Sequence, residues 1–326
     1  MTAMRQVKAW WALPCALACA LVLGGCSSMK LPSLSSLPFT SPPPAADAGT
    51  FFDDFSHGDT AALARAGWII RDKKGHPGIE GANWGPGTIT LVPDPADASN
   101  RLLRLRARTD GTPEGTSHAQ LCQARKFYEG TYAARIRFND KPLIGPDGDV
   151  VVETFYVVSP LRFDFDPEYS ELDWEYLPNG GWGNSKTRIY GVTWQTVSLH
   201  PWKAYNQPHE SFRSVEGWHV LMMQVAAGKT RFYLDGVQLD EHGGRNYPAV
   251  PMSLNFNLWF SPGGLLPNEK AQRVYEQDVD WVFHARNRLL SPAEVSAEVE
   301  KLREARTSFK DSVPAMNPPL ASTCDF

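Results

Sequence analysis

Residues 131–138 read Thr-Tyr-Ala-Ala-Arg-Ile-Arg-Phe, and this octapeptide decides the fold class. In an extended chain Tyr132, Ala134, Ile136 and Phe138 fall on one side, while Arg135 and Arg137 fall on the other. Period-two alternation is the signature of a strand with one buried face. The same pattern recurs at Thr88–Val92 and at Arg101–Arg106. Clusters such as Asn139-Asp140-Lys141-Pro142 and Asn179-Gly180-Gly181 punctuate these runs. Regular short strands separated by turn residues predict an all-β jelly-roll sandwich over residues 50–286. Asp235-Gly236, between two short alternating runs, predicts a tight hairpin, because Gly tolerates positive φ. No internal repeat is evident.

Both ends of the chain differ in character. Arg5 and Lys8 precede a short apolar stretch, Ala9–Leu23, which is broken by Pro14. A comfortable membrane span needs about 20 apolar residues, so residues 1–25 read as an export signal. Leu23-Gly24-Gly25-Cys26 resembles a bacterial lipoprotein box, which implies cleavage before Cys26 and acylation of that residue. Ordinary cleavage nearby is the alternative. Ser27 and Ser28, with no Asp after the Cys, favour the outer membrane under the same resemblance. The expected location is therefore the cell envelope, lipid-anchored, with no other membrane contact. Residues 26–49, which include Ser41-Pro42-Pro43-Pro44, are too poor in apolar surface to fold and read as a tether. At the other end, residues 287–326 form an added helix and tail. Ser291-Pro292-Ala293-Glu294 is a capping-box sequence, and residues 292–310 carry Val295, Val299 and Leu302 at helical spacing.

Charge and cysteine content narrow the function classes. The formal net charge is -4, and loss of the signal's two basic residues makes it -6. A mildly acidic chain lacks the electrostatic footprint of a nucleic-acid binder, and it suits a neutral polymer. Of the five cysteines, Cys15 and Cys19 leave with the signal and Cys26 would carry lipid. Cys122 and Cys324 remain, and one disulfide between them is expected in an oxidising compartment, with two free thiols as the alternative. The eight His show no ligand-like grouping, so no metal and no cofactor is expected. A structural calcium stays open but unplaced. A monomer is expected.

Residues 171–175, Glu-Leu-Asp-Trp-Glu, carry the chemistry. On a strand Glu171, Asp173 and Glu175 share one face, and Leu172 and Trp174 pack into the other. Three carboxylates in a row repel one another, so the arrangement is costly unless something uses it. Alone, the pattern fits an exposed acidic edge or an oxygen-ligand calcium face equally well. The bulky Leu172 and Trp174, with Tyr169 and Tyr176 nearby, argue for a strand with a buried side. Met252–Phe260 alternates in the same way, with Leu254, Phe256, Leu258 and Phe260 opposite Ser253, Asn255, Asn257 and Trp259. Asn and Trp on one face suit a sugar, because an amide bonds hydroxyls and an indole packs on a pyranose. Ladder-closing Asn residues beside a core Trp are the plainer alternative.

The ordered set of segments resembles glycoside hydrolase family 16. Gly130–Ile136 resembles that family's strand entering the concave sheet, and Thr154–Val158 its apolar strand before the acids. Phe232–Gly236, Pro251–Trp259 and Val279–Val282 resemble later strands, in family order across residues 50–286. The resemblance implies a concanavalin A-like jelly roll that cleaves internal β-linkages in a glucan-like polysaccharide with retention, as an endo-β-glucanase does. It implies that Glu171 is the nucleophile, that Glu175 is the acid/base and that Asp173 lies between them and tunes both. It further implies that Arg188–Thr196 lies beside the acids, with Trp194 and Tyr190 as sugar platforms. Trp182 is a candidate for the cleft rim, and Asn257 and Trp259 for the same cleft. Ser170, and Gln224-Val225 where the family often carries Trp, depart from the pattern and leave the glycan open. A non-catalytic lectin-like protein and a transglycosylase are the competing readings.

Overall fold

The computed structural model describes residues 49–322 and 324. The export signal, Cys26 and all of the tether except Gly49 lie outside the described residues. The described part is an antiparallel sandwich of two sheets. The cleft sheet runs, edge to edge, Trp202–Ser211, Arg188–Leu199, Glu171–Leu177, Val151–Val158, Ser253–Phe260, Ser117–Cys122 and Ile69–Ile70. The back sheet centres on Gly130–Phe138, between Gly217–Ala226 and Arg273–Arg286. Arg273–Arg286 is long enough to pair with Arg101–Thr109 over one half and Thr50–Asp53 over the other.

The alternation that predicts the strands also builds the core. Tyr132, Ala134, Ile136 and Phe138 of the back sheet meet Phe155, Leu172, Trp174, Leu254, Phe256 and Leu258 of the cleft sheet. At roughly 25 cal/mol per Å2 of apolar surface removed from water, this interlayer dominates folding. On the outward face of the back sheet, Arg135 bonds Asp280 at 2.7 Å and Arg104 holds Asp278 at 2.7 Å.

Two expectations need correction. Gly130–Phe138 belongs to the back sheet and not to the concave one, because Arg135 and Arg137 find their acidic partners on Arg273–Arg286. The C-terminal helix, expected over residues 292–310, spans Pro292–Glu304. Arg306 then turns to φ 53, and Phe309–Asp311 pairs as a strand with Phe51–Asp53. Edge pairing there outweighs helix propensity. The capping box forms as read: Glu294 N donates to Ser291 Oγ at 3.3 Å, and Ser291 N to Glu294 Oε2 at 2.7 Å. Val295 and Val299 pack on Phe52, Met222, Trp281 and Phe283 of the back sheet. Asp235 (φ 50) and Gly236 (φ 81) make the expected tight turn between Lys229–Leu234 and Val237–Gly243. Cys122 and Cys324 are bonded, with Cα atoms 5.9 Å apart.

Candidate active site

The acidic strand Glu171–Leu177 is held by its apolar face. Leu172, Trp174 and Tyr176 are buried in the interlayer core. Trp174 meets Phe232 of the back sheet edge-on, 5.4 Å between centroids. Gly191 lies opposite Trp174 on the next strand, and a Cβ there would sit 2.9 Å from the Phe232 ring. A bare backbone at that position lets Phe232 reach the indole. With Leu172 and Trp174 pinned inward, strand geometry sends Glu171, Asp173 and Glu175 outward together. The register stays unbroken with both neighbouring strands along the three acids.

The carboxyls line a cleft of about 880 Å3. Trp194, Val192 and Tyr190 stand opposite Glu171, Asp173 and Glu175 on one side, and Tyr156 and Thr154 opposite Asp173 and Glu175 on the other. Trp194, Tyr190, Trp182, Asn257 and Trp259 all line the same cleft as the acids. Trp194 Nε1 donates to Asp173 Oδ2 at 2.6 Å. Asn257 sits in a network, with Thr154 Oγ1 donating to its Oδ1 and its Nδ2 donating to Tyr156 Oη at 3.2 Å. Trp182, at φ 48 on the Gly-rich turn after the acidic strand, faces Trp259 at 5.9 Å and is 47% exposed. Its side chain also hydrogen-bonds Glu175.

Several neighbours carry no motif of their own in the sequence. Tyr169 Oη donates to Glu171 Oε2. Its place two residues before Glu171 matches strand alternation, but it lies in a turn where that rule gives no warrant. Arg188 is buried, donates to the Gly181 carbonyl, and lies 3.5 Å from Glu210 across the neighbouring hairpin. Its guanidinium also covers Tyr190 at 4.8 Å. His76 and Trp202 line the cleft from opposite margins. Long-range pairing places these residues, so local pattern could not single them out.

The electrostatics separate the three acids. Burial raises Glu171 to about 7, against hydrogen bonds from Tyr169 and Asp173 that favour its charged form. Burial, then repulsion from Glu171, raises Glu175 to about 8, against the Trp182 bond and the nearby Arg188 charge. Asp173 is pushed well above the carboxylate range by burial and by both flanking acids, and the Trp194 bond offsets only part of this. Near neutrality the strand thus favours one ionised end, at Glu171, and one protonated end, at Glu175. Nucleophilic displacement assisted by an acid requires such a division. Among the described residues no group of three or more His, Cys, Asp or Glu side chains could hold a metal ion.

No family model and no curated protein matches the chain. Solved structures do. A glycoside hydrolase family 16 endo-glucanase from Bacteroides ovatus aligns with TM-score 0.56 at 15% identity, covering 71% of this chain and 98% of that one. A β-glucanase from Bacillus licheniformis aligns with TM-score 0.51 at 16% identity, covering 73% and 99%. A prokaryotic β-1,3-1,4-glucanase (lichenase) from a mouse hindgut metagenome aligns with TM-score 0.50 at 18% identity, covering 72% and 98%. At such identities the likeness is one of fold, and the fold is the jelly-roll sandwich of these glucanases.

Proposed function

We propose that this protein is a retaining glycoside hydrolase acting on β-linkages of a glucan-like polysaccharide, anchored in the cell envelope through a lipid on Cys26. The observation that carries the chemistry is the row Glu171, Asp173, Glu175 on one strand face within a tryptophan-lined cleft. Glu171, ionised, attacks the anomeric carbon. Glu175 gives its proton to the leaving glycosidic oxygen as the C–O bond breaks, and a glycosyl ester forms on Glu171. Glu175, now ionised, takes a proton from water, which attacks the anomeric carbon as its bond to the Glu171 carboxylate breaks and releases Glu171. Asp173, protonated and fixed by Trp194, donates to Glu171 and disperses its charge. Trp194, Trp182 and Trp259 offer ring faces to sugars, and Asn257 offers an amide. Residues 50–286 are the catalytic domain in this reading, and the added helix Pro292–Glu304 braces its back sheet.

The test is release of reducing ends from a panel of β-glucans by the domain from residue 49 onward. Glu171→Gln is expected to lose activity by about 3 orders of magnitude or more, because an amide cannot form the ester. Equal release by both proteins would sink the assignment. Proton NMR of the first product formed is expected to show the β-anomer, and the α-anomer would exclude retention. Oligosaccharide binding with no bond cleavage would favour a lectin-like role.

A further inference from the structure

Resting on that reading, we infer that the cleft is closed at one edge of its sheet, so that the protein takes the end of a glycan chain and not an internal stretch. The first observation is a contact between opposite margins. His76 belongs to the loop after Ile69–Ile70, at one edge of the cleft sheet, and Trp202 opens the strand at the other edge. Six strand steps separate those edges, about 29 Å along a flat sheet at roughly 4.8 Å per step. Yet the two rings lie 6.1 Å apart, tilted 35°. Trp202 in turn meets Trp194 at 6.2 Å, beside the acids. The loop and the hairpin therefore meet above the concave face and join its two margins.

The second observation is an end wall. The cleft lining crosses the sheet from Trp202–Ser211 to Ser253–Phe260, and is then taken up by His76, Pro77 and Gly78 of the loop. Gly78 rests so closely on His118, on the next strand, that a Cβ would lie 2.4 Å from the ring. Its φ of +104 and this contact fix the loop backbone over that strand. Behind it, His118 meets Trp84 at 4.8 Å, and Arg71 covers Trp84 at 4.0 Å while donating to Gln120 at 3.0 Å. Trp84 packs with Val152, Leu177, Tyr190 and Trp259. An open groove would leave this part of the concave face clear for a passing polymer. Here it is filled by the loop and the side chains beneath it.

The experiment uses the Glu171→Gln protein and linear β-glucan fractions of increasing chain length, with light scattering to count protein molecules bound per chain. The expected count is independent of chain length, because each chain presents the same ends. Trp202→Ala and His76→Ala, made separately, are expected to open the bridge and let the count grow with length. A count that already grows with length before either substitution overturns the inference. The outcome does not depend on turnover. If chain ends bind but the unsubstituted protein cleaves nothing, the hydrolase reading fails while the closed cleft stands.

Discussion

Two glutamates on one strand face must carry opposite charges at one pH. Glu171 must be ionised and Glu175 protonated, and burial holds their transitions near 7 and 8. Because the acids interact, these are apparent values of the set. The expected profile of kcat/KM is a narrow bell, rising up to about pH 7 and falling above about pH 8. Loss of the Trp182 indole N–H removes a bond to ionised Glu175. Trp182→Phe should therefore move the basic limb to higher pH and leave the acidic limb in place. Steady-state rates from pH 5 to 10 (on any soluble substrate) check both limbs, and a basic limb that stays put would show that Trp182 does not touch the acid. The three carboxylates were legible because strand alternation is a local rule, and Leu172 and Trp174 say which face is buried. The partners that tune them were not legible. Tyr169 reaches Glu171 from a turn, and Arg188, held on the Gly181 carbonyl, brings its charge near Glu175, contacts that exist only after folding.

At the scale of the element, the helix Pro292–Glu304 shows what a sequence signal does and does not specify. Its start is local, since Ser291 and Glu294 exchange hydrogen bonds whatever the rest of the chain does. Its end is tertiary, because Phe309–Asp311 pairs with Phe51–Asp53 although its residues continue a helical pattern. The strand Gly130–Phe138 teaches the same lesson. Its alternation predicts a strand with one buried face, but both layers bury one face, so alternation cannot say which layer. Asp278 and Asp280, more than a hundred residues away, decide it. The helix lies on the back sheet, away from the cleft. Ser291→Ala removes one cap and should cost about 1 kcal/mol, lowering Tm by about 2–4 °C. Catalytic rates at 25 °C should not change. Calorimetry and a single rate measurement separate the two effects, and a rate loss larger than the stability loss would mean that the helix reaches the site.

At the scale of the whole molecule, the site is a stability liability with a definite sign. The folded state raises Glu171 and Glu175 above the ordinary carboxylate value of 4.5. Between that value and about 8, the folded protein keeps protons that the unfolded chain has released. Stability falls with pH wherever the folded state binds more protons. The contribution of these two acids is thus fully present below 4.5 and is lost as the pH climbs through about 7 and then about 8. Asp166 works the other way. Its bond from Arg162 holds it down at about 2, so its contribution is lost only in strong acid. A single Tm curve mixes these terms, and the informative quantity is the difference between two proteins. Glu175→Gln keeps the size of the side chain and cannot acquire charge. Relative to the unsubstituted protein it should gain little at pH 4.5 and about 1–3 kcal/mol at pH 9, solvent in the cleft screening the rest. The difference should open between about pH 4.5 and about pH 8 and level off where the basic limb of the activity profile lies, because the same proton governs both. A Tm difference that stays flat from pH 5 to 9 would mean that Glu175 is ionised throughout, and the catalytic acid would have to be sought elsewhere in the cleft.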